Sequence, residues 1–143
     1  MKDKKEAKEE ISLVVIKPSA VRRKLVGKIL NEFEEDDFEL VDIKMKRLTR
    51  EEAEYLYDVH KGKDFFEPLI EYMISGPVVA FLLKGKDAIK RVREKIGATD
   101  PKEAKPGTVR AKYGLNKRQN AVHAVDSQER LKHEIKVFFD GYV

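Results

Sequence analysis

The apolar positions of this chain change period several times, and each change marks an element. Ile11, Leu13, Val14, Val15 and Ile16 form a short β-rich run, which predicts a strand covered on both faces. It stops at Lys17-Pro18. Val21, Leu25, Ile29 and Phe33 then recur at helical spacing and predict one helix. Val41, Ile43 and Met45 alternate with Asp42 and Lys44, the period of a half-buried strand. Thr49 with Glu52 is a capping-box pattern that opens a helix with Ala53, Leu56 and Tyr57 inward. After a turn at Lys61-Gly62-Lys63, the spacing of Phe66, Leu69, Ile70 and Met73 predicts a second short helix, ended by Ser75-Gly76-Pro77. Val78 to Leu83 predicts another buried strand, and Asp87 to Ile96 a helix with Ala88, Ile89, Val92 and Ile96 inward. Gly97 to Gln119 has no period and carries Pro101, Pro106, Gly107 and Gly114; so long a loop in a compact domain usually has a functional role. A short strand follows around Ala121 to Val125, then a last helix capped by Asp126 with Leu131, Ile135 and Phe138 on one face.

Without the insertions the order is β-α-β-β-α-β. That predicts an α+β fold of the ferredoxin-like kind: an antiparallel four-stranded sheet, an extra helix pair, and a long loop before the last strand. Residues 1–10 alternate Lys with Glu and read as a charged, flexible lead-in, and residues 11–143 as a single domain without an internal repeat.

Composition narrows the class. Hydrophobic residues make up 41% of the 143, enough for a core, and charged residues 39%. Lys and Arg number 30 against 26 acidic residues, a net charge of +4, with the two signs interspersed as on a surface laced with ion pairs. No strand carries the aromatic K/R-G-F/Y-G/A-F-V-x-F/Y pattern of RNA-binding modules, so a nucleic-acid partner is not expected. The absence of cysteine excludes disulfides, cysteine-zinc sites and thiol catalysis. No apolar run reaches membrane-spanning length and no signal-peptide pattern opens the chain, so a cytoplasmic protein with no membrane partner is expected.

Three histidines are present. His60 and His133 read as surface residues. His123 lies inside a predicted strand, in Asn120-Ala-Val-His123-Ala-Val-Asp126-Ser127, just after a basic segment. A strand histidine alone is more often structural than catalytic. Cations and donors are available to it: Lys17 ends the first strand, Arg93 lies on the helix before the loop, Thr99 and Arg110 lie in the loop, and Asn120 follows it. Phosphate oxygens require several such donors, and arginine offers two parallel bonds. Neither G-x-x-x-x-G-K-[ST] nor G-x-G-x-x-G occurs, so phosphates held here are held by side chains rather than a glycine cradle.

Seven blocks then occur in a characteristic order: Val15-Ile16-Lys17-Pro18; Leu25-Val26-Gly27; His60-Lys61-Gly62-Lys63 with Phe65-Phe66; Ser75-Gly76-Pro77-Val78-Val79-Ala80; Gly97-Ala98-Thr99; Lys105-Pro106-Gly107-Thr108-Val109-Arg110; and the His123 segment itself. On these the chain, from about Ser12 to Phe139, resembles the nucleoside diphosphate kinase family. The resemblance implies a ping-pong enzyme: a nucleoside triphosphate gives its γ-phosphate to His123, and a nucleoside diphosphate takes it away. Neutral imidazole is a good nucleophile near neutral pH. The implied catalytic set is His123, Lys17, Glu134, which holds the other ring nitrogen, and Tyr57, which sits beside the ring. The implied nucleotide contacts are Lys17 and Asn120 to ribose hydroxyls and phosphates, and Arg93, Thr99 and Arg110 to phosphates. Phe65 is to stack on the base with Leu69 beside it, and Lys117 to cover its second face with a methylene stem. Stacking tolerates any base, which predicts broad use of ATP, GTP, ADP, GDP and others. Mg²⁺ is implied as cofactor, held mainly by nucleotide phosphates and water rather than by the chain. A homo-oligomer is implied, and Lys105-Pro106-Gly107 favours a hexamer over a tetramer.

The chain departs from the family pattern in places. Val125 stands where the family usually has a serine whose hydroxyl helps position the glutamate and the phosphate, which predicts slower phosphorylation of His123 by about 1–2 kcal/mol. Ala111-Lys112 replaces Gly-Asp, and Lys117-Arg118-Gln119 replaces a run with an apolar residue, Gly and Arg. The alternative these departures leave open is a nucleotide-binding regulatory protein on the same fold, with weakened catalysis.

Overall fold

The computed structural model describes residues 8–142. Strands β1 (Glu9–Ile16), β2 (Glu39–Lys46), β3 (Val78–Lys86) and β4 (Val122–Ala124) form one sheet in the order β2-β3-β1-β4, with every neighbouring pair antiparallel. The helices are α1 (Pro18–Arg22), α2 (Val26–Glu34), α3 (Arg50–Leu56), α4 (Phe66–Met73), α5 (Ala88–Ile96), α6 (Val109–Tyr113) and α7 (Gln128–Glu134). Short 3-10 turns occupy Asp58–His60, Pro101–Glu103 and Ile135–Val137. This is the predicted α+β arrangement, with α3 and α4 as the extra pair between β2 and β3.

The two central strands read as continuous apolar runs because each face of the sheet is covered. Leu13, Val15, Ala80 and Leu82 join a core with residues of α3, α4 and α7, whereas Val14, Ile16, Phe81 and Leu83 join one with residues of α1, α2 and α5. The same alternation governs β4. Val122 and Ala124 enter the second core, so His123, paired in register with Val15, points to the opposite face.

Several boundaries differ from expectation. β1 begins at Glu9, where Glu9 and Glu10 pair with Lys86 and Gly85, because β3 extends far enough to offer partners. The last part of the expected lead-in is therefore strand, and residues 1–7 lie outside the described residues. The single helix expected from Val21 to Phe33 is two, α1 and α2, because Lys24 takes a left-handed turn at φ 64°. In β2 a bulge between Leu40 and Asp42 breaks the alternation. Val41 packs on one core, while Ile43 and Met45 fall on the other face of this edge strand and are 43% and 58% exposed. The segment Gly97–Gln119 is not structureless: it holds the Pro101–Glu103 turn and α6, which Thr108 caps through its side chain. The last helix is capped by Ser127 rather than Asp126.

Candidate active site

A cavity of about 580 Å³ opens where β1 ends and β4 begins. It is lined by every residue the sequence marks for the site: Lys17, Tyr57, Phe65, Leu69, Arg93, Thr99, Arg110, Lys117, Asn120, His123 and Glu134.

His123 Nε2 lies 2.6 Å from Oε1 of Glu134, which α7 places on the same face of the sheet. A carboxylate accepts, so Nε2 carries the proton and the lone pair is left on Nδ1. The second oxygen of Glu134 accepts from Arg130 Nε at 2.8 Å. Burial pushes the Glu134 carboxyl up, but His123 and Arg130 outweigh it and hold the group below the usual range. The Tyr57 ring stands edge-on to His123, with centroids 5.1 Å apart. Its hydroxyl points away to Met73 Sδ at 3.7 Å, and burial pushes its pKa up. Tyr57 thus shapes one wall and is not placed to exchange protons.

β4 is a sheet edge, and two arginines cap its free carbonyls. Arg110 donates to Val122 O at 2.9 Å and Arg93 to Ala124 O at 3.2 Å, so the backbone is gripped on both sides of His123. Arg110 also donates to Gly97 O at 3.0 Å. Gly97 adopts φ +90°, and a Cβ there would stand 2.6 Å from Thr108 Oγ1, so only glycine fits this turn. Burial, then the neighbouring Arg93, lowers Arg110 to about 10. Burial, then Arg110, lowers Lys17 to about 7. Cations that depress one another in this way form a site for an anion. Two buried polar atoms without a protein partner support that reading: Arg110 Nε, a donor, and Asn120 Oδ1, an acceptor. Asn120 is oriented by its Nδ2 bond to Thr99 O at 3.0 Å.

The apolar wall is aromatic. Phe66 is buried in the core, whereas Phe65 is 44% exposed at the cavity and meets His60 edge-on at 5.1 Å. Leu69 is buried beside it, and Lys117 reaches the same cavity from its loop.

Sequence reasoning missed four polar lining residues, His60, Arg118, Asp126 and Arg130, and the apolar Leu56, Val59 and Ala124. The i,i+4 spacing of Arg130 and Glu134 was a readable signal for one of them. His60, expected at the surface, is half-buried between Tyr57 and Phe65, because the Asp58–His60 turn folds it inward. His133 is also half-buried, stacked on Tyr55 at 3.8 Å. Val125 is 1% exposed in the core with Leu131 and Ile135. The carboxylate its missing hydroxyl would steady nevertheless has two partners, His123 and Arg130. Among the described residues no three His, Asp or Glu side chains gather to hold a metal ion. Nor is any helix long and apolar enough to cross a membrane.

The nucleoside diphosphate kinase family profile matches residues 10–142. The chain is 52% identical over 128 residues to a nucleoside diphosphate kinase of Sulfolobus acidocaldarius, covering 90% of this chain and 88% of that one. It is 47% identical over 131 residues to that of Kosmotoga olearia, covering 92% and 89%. The fold superimposes on the Aquifex aeolicus nucleoside diphosphate kinase with a TM-score of 0.91 at 46% identity, covering 94% of this chain and 97% of that one. A Halobacterium salinarum nucleoside diphosphate kinase solved in complex with CDP gives 0.89 at 37% identity, covering 94% and 90%. This chain belongs to the nucleoside diphosphate kinase family.

Proposed function

We propose that the family's phosphate transfer between nucleoside tri- and diphosphates runs in this chain through a phosphohistidine on His123. The observation that carries this is the bond from His123 Nε2–H to Glu134, which leaves the Nδ1 lone pair for attack in a cavity lined with Lys17, Arg93 and Arg110. Nδ1 attacks the γ-phosphorus of a nucleoside triphosphate, the bond to the β–γ bridging oxygen breaks, and the diphosphate leaves. An oxygen of a second diphosphate then attacks the phosphorus and breaks the P–N bond. Glu134 offsets the positive charge on the ring throughout. Lys17, Arg93 and Arg110 meet the phosphate oxygens, with Thr99 beside them, and Asn120 Oδ1 accepts from a ribose hydroxyl.

Phe65 stacks on the base, with Leu69 and the stem of Lys117 completing the clamp. A face-stacked base is not read by its edges, which supports broad specificity across ATP, GTP and their diphosphates. Among the cavity's cations the lining carboxylates are Glu134, committed to His123 and Arg130, and Asp126, so Mg²⁺ would be held mainly by nucleotide phosphates and water and would supply charge neutralisation there. A homo-oligomer is supported by the exposed Ile43 and Met45 on the β2 edge, and the resemblance of the exposed Lys105-Pro106-Gly107 segment favours a hexamer over a tetramer; light scattering giving a monomer overturns the first, and a tetramer the second. A cytoplasmic location fits the cysteine-free composition.

The test is covalent labelling. Incubated with γ-labelled ATP, the protein takes up acid-labile, base-stable label that GDP removes, and His123→Ala takes up none. Equal label on His123→Ala overturns the assignment, and an unlabelled wild type favours a nucleotide-binding regulator on the same fold.

A further inference from the structure

Arg130 is held at three points, and none of them is a solvent contact. Its Nε donates to Glu134 Oε2 at 2.8 Å, one terminal nitrogen pairs with Asp58 Oδ1 at 3.0 Å, and the other donates to Leu56 O at 3.1 Å. Glu134 is 3% exposed and its other oxygen is committed to His123. Asp58 opens the turn that carries His60, and Leu56 ends α3 just before Tyr57. One guanidinium therefore joins the carboxylate behind the nucleophile to the segment that forms the aromatic wall. Val125, two residues after His123 and buried in the core, offers the carboxylate no polar atom.

We propose that Arg130 is a positioning residue for phosphoryl transfer: it fixes the Glu134 carboxylate against His123 and ties it to the 58–60 turn of the nucleotide wall. The proposal rests on the His123 reading above. The planar fork of arginine suits the task, since it can bond a carboxylate and a carbonyl at once without rotating. A buried carboxylate with one oxygen unpartnered could turn about its terminal torsion, and the Nε2–H bond that orients the imidazole would loosen with it. Arg130 also keeps Glu134 ionised. The charged or titratable groups around that carboxylate are His123 on β4, Tyr57 at the end of α3, and Arg130 on its own helix, with Asp58 and His60 on the far side of Arg130. Of these, only Arg130 is always positive.

The experiment combines pH profiles with a double-mutant cycle, read as kcat/KM for phosphate transfer from ATP to GDP. Arg130→Gln is expected to lower kcat about tenfold at neutral pH, with a smaller change in KM. Its acid limb is expected to move up by about one pH unit as Glu134 loses its cation. Arg130→Lys, which keeps the charge but not the fork, should keep the wild-type acid limb and recover only part of the rate. In a Glu134→Gln background, Arg130→Gln should cost little more, because its effect passes through the carboxylate. An Arg130→Gln profile parallel to wild type, or an equal cost in both backgrounds, overturns the proposal. Should Arg130→Gln fail to fold, Arg130→Lys and Asp58→Asn are read instead. A wild-type acid limb in Arg130→Lys with only a modest loss in Asp58→Asn, which leaves the Arg130–Glu134 bond intact, supports it. A raised acid limb in Arg130→Lys overturns it. Wild-type protein that takes up no label from ATP sinks the His123 reading instead, so the two failures are distinguishable.

Discussion

Glu134 and His123 meet through one short bond, 2.6 Å from Oε1 to Nε2, and that bond selects which ring nitrogen is free to react. A carboxylate that binds Nε2–H leaves Nδ1 as the nucleophile. Phosphorus and nitrogen NMR of the labelled protein should therefore place the phosphate on Nδ1. Glu134→Gln keeps an acceptor but loses the charge, and phosphorylation should slow by roughly 1–2 kcal/mol, about five- to thirtyfold. Phosphate on Nε2 contradicts this assignment.

Lys17 gives the site a pH dependence of definite sign. Burial, then Arg110, lowers its pKa to about 7 from the 10.5 of a free lysine. In the folded chain its charged form is disfavoured, so its folding penalty is complete below pH 7 and fades as pH rises towards 10.5. Nucleotide binding runs the other way, because phosphate favours the ammonium. ADP affinity should be highest below pH 7 and fall above it as Lys17 loses its proton. At pH 8 binding should therefore take up a large part of one proton at Lys17. Calorimetry in buffers of different ionisation heat measures this uptake. Lys17→Met should lose most of it, and unchanged uptake in that variant refutes the assignment.

The sheet was legible because its two central strands are apolar on both faces, as in Leu13 to Ile16 and Val78 to Leu83. His123, by contrast, was one histidine in a strand until the order of surrounding blocks gave it meaning. Arg93 and Arg110 look like any surface cation in a chain this charged. What distinguishes them, the grip of Arg93 on Ala124 O and of Arg110 on Val122 O, spans 31 and 12 residues and is created by the fold. The turn at Lys24 and the bulge at Leu40/Asp42 were not legible for a related reason. Neither carries a glycine, so nothing local announces the unusual backbone, and tertiary packing imposes it.

Phe65 is the exposed aromatic of the wall, and its role can be separated from packing. At 44% exposure it contributes little to the core, so Phe65→Ala should leave the melting temperature nearly unchanged. Lost stacking is worth roughly 1–3 kcal/mol per base, so KM should rise about fivefold or more for ADP, GDP, CDP and UDP alike. Steady-state kinetics with the four acceptors check this. A loss confined to one base shows edge recognition instead of stacking.

Val125 tests how two features of the site compensate. Its side chain is 1% exposed among Leu131 and Ile135, so Val125→Ser should cost about 1–2 kcal/mol of stability through lost apolar burial. The hydroxyl it introduces has two possible tasks, to steady Glu134 and to meet the transferring phosphate. Arg130 already performs the first, bonding Glu134 Oε2 at 2.8 Å. In the otherwise wild-type chain only the phosphate contact is left to gain, and single-turnover phosphorylation should quicken by only about threefold, less than a full hydrogen bond supplies. In an Arg130→Gln background the hydroxyl has both tasks, and the gain should grow to about tenfold. Rapid-quench measurement of His123 labelling in the four proteins decides it. Equal gains in both backgrounds would mean that Arg130 and the residue at 125 act independently, and no gain in either would mean that the valine withholds nothing from the reaction.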